Sequence, residues 1–120
     1  MANMKYEIGG MNGKLLLFDL SKKETSIIDL PPEVVKDYMG GRGIGAYYLA
    51  KMVDSETSAL DPENRLIFMN GPLEGSLIPG NNKVCVTFKS PLTDSYSYSL
   101  CGGHWGPELK FCGYDGLVVV

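Results

Sequence analysis

Between Lys89 and Asp115 the chain changes character too often to belong to any long element. Lys89-Ser90-Pro91-Leu92-Thr93 breaks one extended run, and Cys101-Gly102-Gly103 breaks the next. His104-Trp105-Gly106 leads into Pro107-Glu108-Leu109-Lys110, and Gly113-Tyr114-Asp115 follows. Pro107 before Glu108 reads as the first turn of a helix, with Pro at its first position and an acid near the positive end of the dipole. The segment must therefore fold as short strand, turn and short helix in succession. A Gly pair lets backbone groups approach a bound group closely. A helix N-terminus just after it predicts an anion or phosphate contact.

The rest of the chain has the same short rhythm. Lys14 to Leu20 and Thr25 to Leu30 read as two strands of a hairpin around a polar turn. Pro31-Pro32 ends the second. Glu33 to Met39 has helical spacing, with Val34, Val35, Tyr38 and Met39 on one side. Gly40-Gly41-Arg42-Gly43 interrupts this pattern, and an apolar helix resumes from Ile44 to Val53. Arg65 to Asn70, Lys83 to Lys89, Tyr96 to Leu100 and Gly116 to Val120 read as further strands. Several strands with few short helices predict an α+β fold with mainly antiparallel β-sheets.

A chain of 120 residues suits one domain. We divide it into a leader or disordered segment, residues 1–12, and a partial domain, residues 13–120. The chain stops inside an apolar strand, which predicts a piece of a longer protein. The alternative is that Val118 to Val120 pairs centrally and closes a sheet, since an exposed apolar edge is a liability. The net charge of −3 and the lack of a basic run give no support for nucleic-acid binding. No apolar run reaches the roughly 18 residues that cross a bilayer. Three cysteines, Cys85, Cys101 and Cys112, are an odd set without Cys-x-x-Cys spacing. They encode no local zinc or iron–sulfur site and fit a reduced, cytoplasmic protein. Cys85 and Cys112 read as small buried apolar residues.

Gly41-Arg42-Gly43-Ile44-Gly45-Ala46 matches a relaxed dinucleotide fingerprint, G-x-G-x-x-A. Its context is wrong, because it follows a helical segment, not a strand, and Asp61 is misplaced as the ribose acid. A tight helix–helix turn explains it better, with Arg42 presented as an anion contact. His104 has no second His to share a metal with; it reads first as a satisfied structural residue and next as a ligand contact. Trp105 reads as a packing residue.

The ordered set of blocks resembles the N-terminal domain of the tungsten-containing aldehyde ferredoxin oxidoreductase family. The blocks are Gly40-Gly41-Arg42-Gly43, Asp61-Pro62-Glu63-Asn64, Gly71-Pro72-Leu73-Glu74-Gly75, Lys89-Ser90-Pro91-Leu92-Thr93, Gly102-Gly103, Gly106, Glu108-Leu109-Lys110 and Gly113-Tyr114-Asp115. The likeness runs from about Gly13 to the last residue. It implies an enzyme that oxidises an aldehyde to a carboxylate and passes electrons to ferredoxin. It also implies tungsten, or in some relatives molybdenum, held by a bis-pterin, with magnesium bridging the pterin phosphates. A 4Fe–4S cluster is implied only in the full-length protein, with its cysteines in later domains. The N-terminal domain is implied to be a base of two β-sheets, whose second half lies beyond this chain.

Carried onto this sequence, the resemblance places cofactor contacts at Lys83 and around Leu100, Cys101, Gly102 and Gly103. Arg42 joins them as an anion contact, and the Leu100 main-chain carbonyl would ligate magnesium. Family members often have Arg at position 83, and well-known members have Asn at position 100. Lys83 keeps the charge without the bidentate fork. The expected function is the tungstopterin-binding part of an aldehyde:ferredoxin oxidoreductase, inactive as an isolated fragment. Ferredoxin and an aldehyde are the implied partners of the whole protein, and a homodimer is compatible with this. The alternative is a stand-alone anion-binding or protein-interaction module that uses the same scaffold without redox chemistry.

Overall fold

The structure is a computed structural model, and it describes residues 8–120. Residues 1–7 of the segment read as a leader lie outside that range. Met11 is buried against the core, and the Asn12 backbone N–H donates to Asp115. These two residues therefore belong to the folded body, not to a leader.

Among the described residues six strands and three helices follow one another. They are β1 (Lys14–Asp19), β2 (Glu24–Asp29), α1 (Pro32–Tyr38), α2 (Gly41–Met52), β3 (Leu66–Met69), β4 (Lys83–Lys89), β5 (Tyr96–Gly102), α3 (Trp105–Phe111) and β6 (Gly116–Val119). The strands form a six-stranded sheet in the order β2-β1-β6-β3-β4-β5. Every neighbouring pair is antiparallel except β1 and β6. The expected α+β class is what the chain adopts, with this one sheet among the described residues in place of the two that the resemblance implies.

Local chemistry accounts for most of the elements. The Asp19 carboxylate accepts from the Ser21 and Lys22 backbone N–H groups and holds the β1–β2 turn. Pro32 is the first residue of α1, where its missing N–H costs nothing. In α1 Val34 and Val35 are buried, whereas Tyr38 and Met39 are exposed. Met39 caps the helix at φ 65°, outside the helical pattern.

Strand alternation puts Leu15, Ile67, Met69, Cys85, Thr87 and Val118 on one face of the sheet. That face is covered by α1 and α2, which add Val34, Val35, Ile44, Tyr48 and Leu49 to the same core. The packing of α2 on β4 is very close. A Cβ at Gly45 would sit 2.6 Å from Thr87 Cγ2, and one at Gly43 would sit 2.2 Å from the Tyr38 carbonyl oxygen. Gly43 and Gly45 of the fingerprint-like motif are thus explained by packing, as the tight helix–helix turn predicts.

β6 lies between β1 and β3 and pairs with both. β6 therefore takes the central pairing weighed above and is not an exposed edge. Among the described residues the edges of the sheet are β2 and β5. Gly116 allows the approach, since a Cβ there would lie 2.5 Å from the Phe68 carbonyl oxygen.

Candidate functional site

A cleft of about 560 Å³ opens where the N-terminus of α2 meets the Lys83 end of β4. Gly40 to Gly43 form one wall and Gly71 to Glu74 another. Lys83, Cys85 and Leu100 come from the sheet, and Ile78 to Asn81 from the loop before β4. Three residues singled out separately in the sequence, Arg42, Lys83 and Leu100, line this one cavity.

The sheet register explains the meeting. Lys83 is paired with Gly102, and Cys85 with Leu100. By alternation, Lys83, Cys85, Leu100 and Gly102 share the face that carries α2. Cys101 pairs with Val84 and turns its side chain to the other face. Its thiol donates to the Gly102 carbonyl at 3.4 Å, so only its backbone is available to a group over the cleft. Cys101, Gly102 and Gly103 continue β5 past Leu100 and are exposed, outside the cleft lining. β5 is an edge strand, so alternate main-chain N–H and C=O groups point away from β4. Gly103 has φ 116°, a conformation that a side chain resists, and open space surrounds its Cα.

Arg42 is held in place. Its Nη1 donates to the Tyr98 hydroxyl at 2.8 Å, and its guanidinium lies 4.9 Å from the centre of the Tyr98 ring. The Tyr96 hydroxyl donates to the Arg42 carbonyl at 3.3 Å. Tyr96 and Tyr98 thus lie on the sheet face and position the cation. Burial pushes the Cys85 thiol up, with Arg42 acting in the opposite direction. Cys85 is a buried, neutral floor to the cleft, in keeping with its apolar reading. Cys112 is exposed, contrary to that reading, because it caps α3 on the solvent side.

The anion contact expected at the helix after the Gly pair does not form. α3 begins at Trp105, two residues before Pro107. Its first turn faces two buried acceptor oxygens, since a Cβ at Gly106 would lie 2.6 Å from Glu74 Oε1 and 2.9 Å from Asn70 Oδ1, while Asn70 Nδ2 donates to the Gly106 carbonyl at 2.8 Å. Trp105 packs on Phe68 with ring centres 5.1 Å apart, a packing role as expected. His104 is exposed and makes no capping bond. Sequence reasoning missed Asn70 and Glu74 as buried polar groups, since a Gly-Pro turn with an acid reads as solvated.

A bis-pterin with magnesium is the group that the fold family implies here. The residues present fit it: two cations at one cleft, an edge strand with free carbonyls, and an uncrowded Gly pair beside them. Among the described residues no cluster of three or more His, Cys, Asp or Glu could hold a metal ion by side chains alone. No helix among the described residues is long and apolar enough to cross a membrane.

Residues 15–120 match the family model described as aldehyde ferredoxin oxidoreductase, N-terminal domain. The chain belongs to this family. It is 38% identical over 107 residues to the tungsten-containing aldehyde ferredoxin oxidoreductase of Pyrococcus furiosus, covering 89% of this chain and 18% of that protein. It is also 38% identical over 111 residues to an aliphatic sulfonate oxidoreductase, WOR-like subunit, of the same organism, covering 90% of this chain and 18% of that protein. Among solved structures, the active-site complex BamBC of benzoyl coenzyme A reductase, in complex with 1,5-dienoyl-CoA, superposes with a TM-score of 0.89 at 36% identity. That match covers 92% of this chain and 17% of the other. The chain thus spans less than a fifth of the length of these relatives.

Proposed function

We propose that this chain is the cofactor platform of a tungstopterin oxidoreductase, and that the cleft between α2 and the β4–β5 ends receives pterin phosphate. The observation that carries this reading is the convergence of Arg42, Lys83 and Leu100 on one cavity. Lys83 would pair with a phosphate as a point charge, and Arg42, oriented by Tyr98, would meet the same anion from α2. The Leu100 carbonyl would ligate magnesium, and the backbone of Cys101 to Gly103 would offer further contacts at the rim. When bound, the tungsten or molybdenum bis-pterin supplies the electron-pair acceptor for oxidation of the substrate. The 120 residues bind and orient; they carry no cluster cysteines and by themselves turn over no aldehyde.

The relatives support a division of labour. Proteins named for aldehydes, for sulfonates and for a dienoyl-CoA complex share this domain. What they hold in common here is the holder, so substrate choice belongs elsewhere in such enzymes. We assign the whole protein to aldehyde oxidation with ferredoxin as acceptor, by its likeness to the ferredoxin oxidoreductases. The test is tungsten, molybdenum and pterin content of the protein purified from its native context after growth with tungstate and molybdate. Stoichiometric metal and pterin are expected. A metal-free, pterin-free preparation would sink the reading in favour of a module without redox chemistry.

A further inference from the structure

Two buried acceptor oxygens face one point without a donor between them. Asn70 is fully buried and Glu74 is 6% exposed. Among the described residues neither Asn70 Oδ1 nor Glu74 Oε1 has a hydrogen-bond partner. Both lie around the Gly106 Cα: a Cβ there would be 2.6 Å from the Glu74 oxygen and 2.9 Å from the Asn70 oxygen. The Asn70 amide cannot be turned over to supply the missing donor. Its Nδ2 donates to the Gly106 carbonyl at 2.8 Å, and the reverse orientation would set oxygen against oxygen. An ionised carboxylate only accepts, so two acceptors would be left buried and opposed, which is costly.

We infer that Glu74 is carried as the neutral acid and donates its O–H to Asn70 Oδ1, forming a proton-held clasp between the wall of the cleft and the first turn of α3. One proton satisfies both orphaned oxygens. The groups around the clasp are Lys110 of α3, which also faces Asp115, and the backbone N–H of Lys83 on β4. Lys110 is not free to neutralise Glu74. Its Nζ donates to the Gly71 carbonyl and lies 3.9 Å from the Asp115 carboxylate. Burial raises the Glu74 carboxyl above the ordinary value, and Lys110 and the Lys83 N–H only partly oppose it. Because Glu74 also lines the cleft, the proton keeps a negative charge out of the wall beside Lys83.

The direction of the pH effect follows. The folded state holds this proton more tightly than the unfolded chain. The stability it brings is complete below the ordinary glutamate value of 4.5 and is lost as pH rises through the raised folded value. The clasp does not depend on whether the cleft receives a pterin. The test is carbon-detected NMR of the side-chain carboxyls of the labelled chain across pH, with thermal unfolding of wild type and Glu74→Gln. We expect the Glu74 carboxyl to titrate above the ordinary glutamate value of 4.5. Gln brings a permanent N–H donor, so the melting temperature of wild type should fall with pH relative to the variant over the same window. Titration of Glu74 at or below the ordinary glutamate value would overturn the inference and point to an ionised carboxylate bridged by a buried water. So would a constant difference in melting temperature across pH.

Discussion

At Gly106 a methyl group has nowhere to go. Alanine favours helix over glycine, so propensity alone predicts that Gly106→Ala stabilises α3. The contacts with Glu74 and Asn70 predict the reverse, a loss of about 1–3 kcal/mol from overpacking, read by urea unfolding. Lys83 is the residue on which the cofactor reading turns. Lys83→Gln removes a charge-assisted contact worth about 1.5–3 kcal/mol, so pterin retention by the purified enzyme should drop roughly tenfold or more. Lys83→Arg should keep retention or raise it, since the guanidinium adds a second parallel bond to phosphate. Lys83 was legible in the sequence because a family pattern marks it. Glu74 was not, because an acid between Pro and Gly carries no local sign of burial. Only the arrival of α3 from more than thirty residues further on covers it.

Among the elements, the strands were readable from apolar alternation and from the Pro and Gly residues that bound them. The helix starts were not. α2 begins at Gly41 although Gly-Gly-Arg-Gly reads as a break, because its glycines let the first turn lie close to Tyr38 and its Gly45 lie on Thr87. Packing outweighs the poor helix propensity of glycine here. Gly45→Ala should push α2 off β4 and cost about 1–3 kcal/mol, measurable by urea unfolding. The end of β4 is fastened in another way. Lys89 is buried and its ammonium donates to the Ser55 carbonyl at 2.8 Å and the Thr57 carbonyl at 2.7 Å, with Asp94 at 3.5 Å. Lys89→Met would strand these carbonyls. We expect a loss of about 2–3 kcal/mol, with faster hydrogen exchange in the loop around residues 54–58.

Across the whole molecule, the class of fold was legible and the strand order was not. Hairpin neighbours such as β1 and β2 are local, so sequence finds them. The parallel pairing of β1 with β6 joins the two ends of the described chain, and nothing in either strand names the other. That long-range pairing turns the final apolar run from an apparent edge into the middle of the sheet. It also carries Asp115, just before β6, to the Asn12 and Gly13 N–H groups, which ties the start of the body to its end. The same assembly sets Lys83 opposite Gly102 and packs α2 against β4, so the cleft exists only when the sheet is complete. The central claim is that an anionic pterin settles in this cleft. Amide chemical-shift mapping of the isotope-labelled chain with a pterin phosphate tests it most directly. The account predicts the largest shifts at Gly41 to Gly43, Lys83 and Leu100 to Gly103, all weakened in Lys83→Gln. Shifts centred on the opposite face of the sheet, at Phe68, Val86 and Ser99, would contradict it.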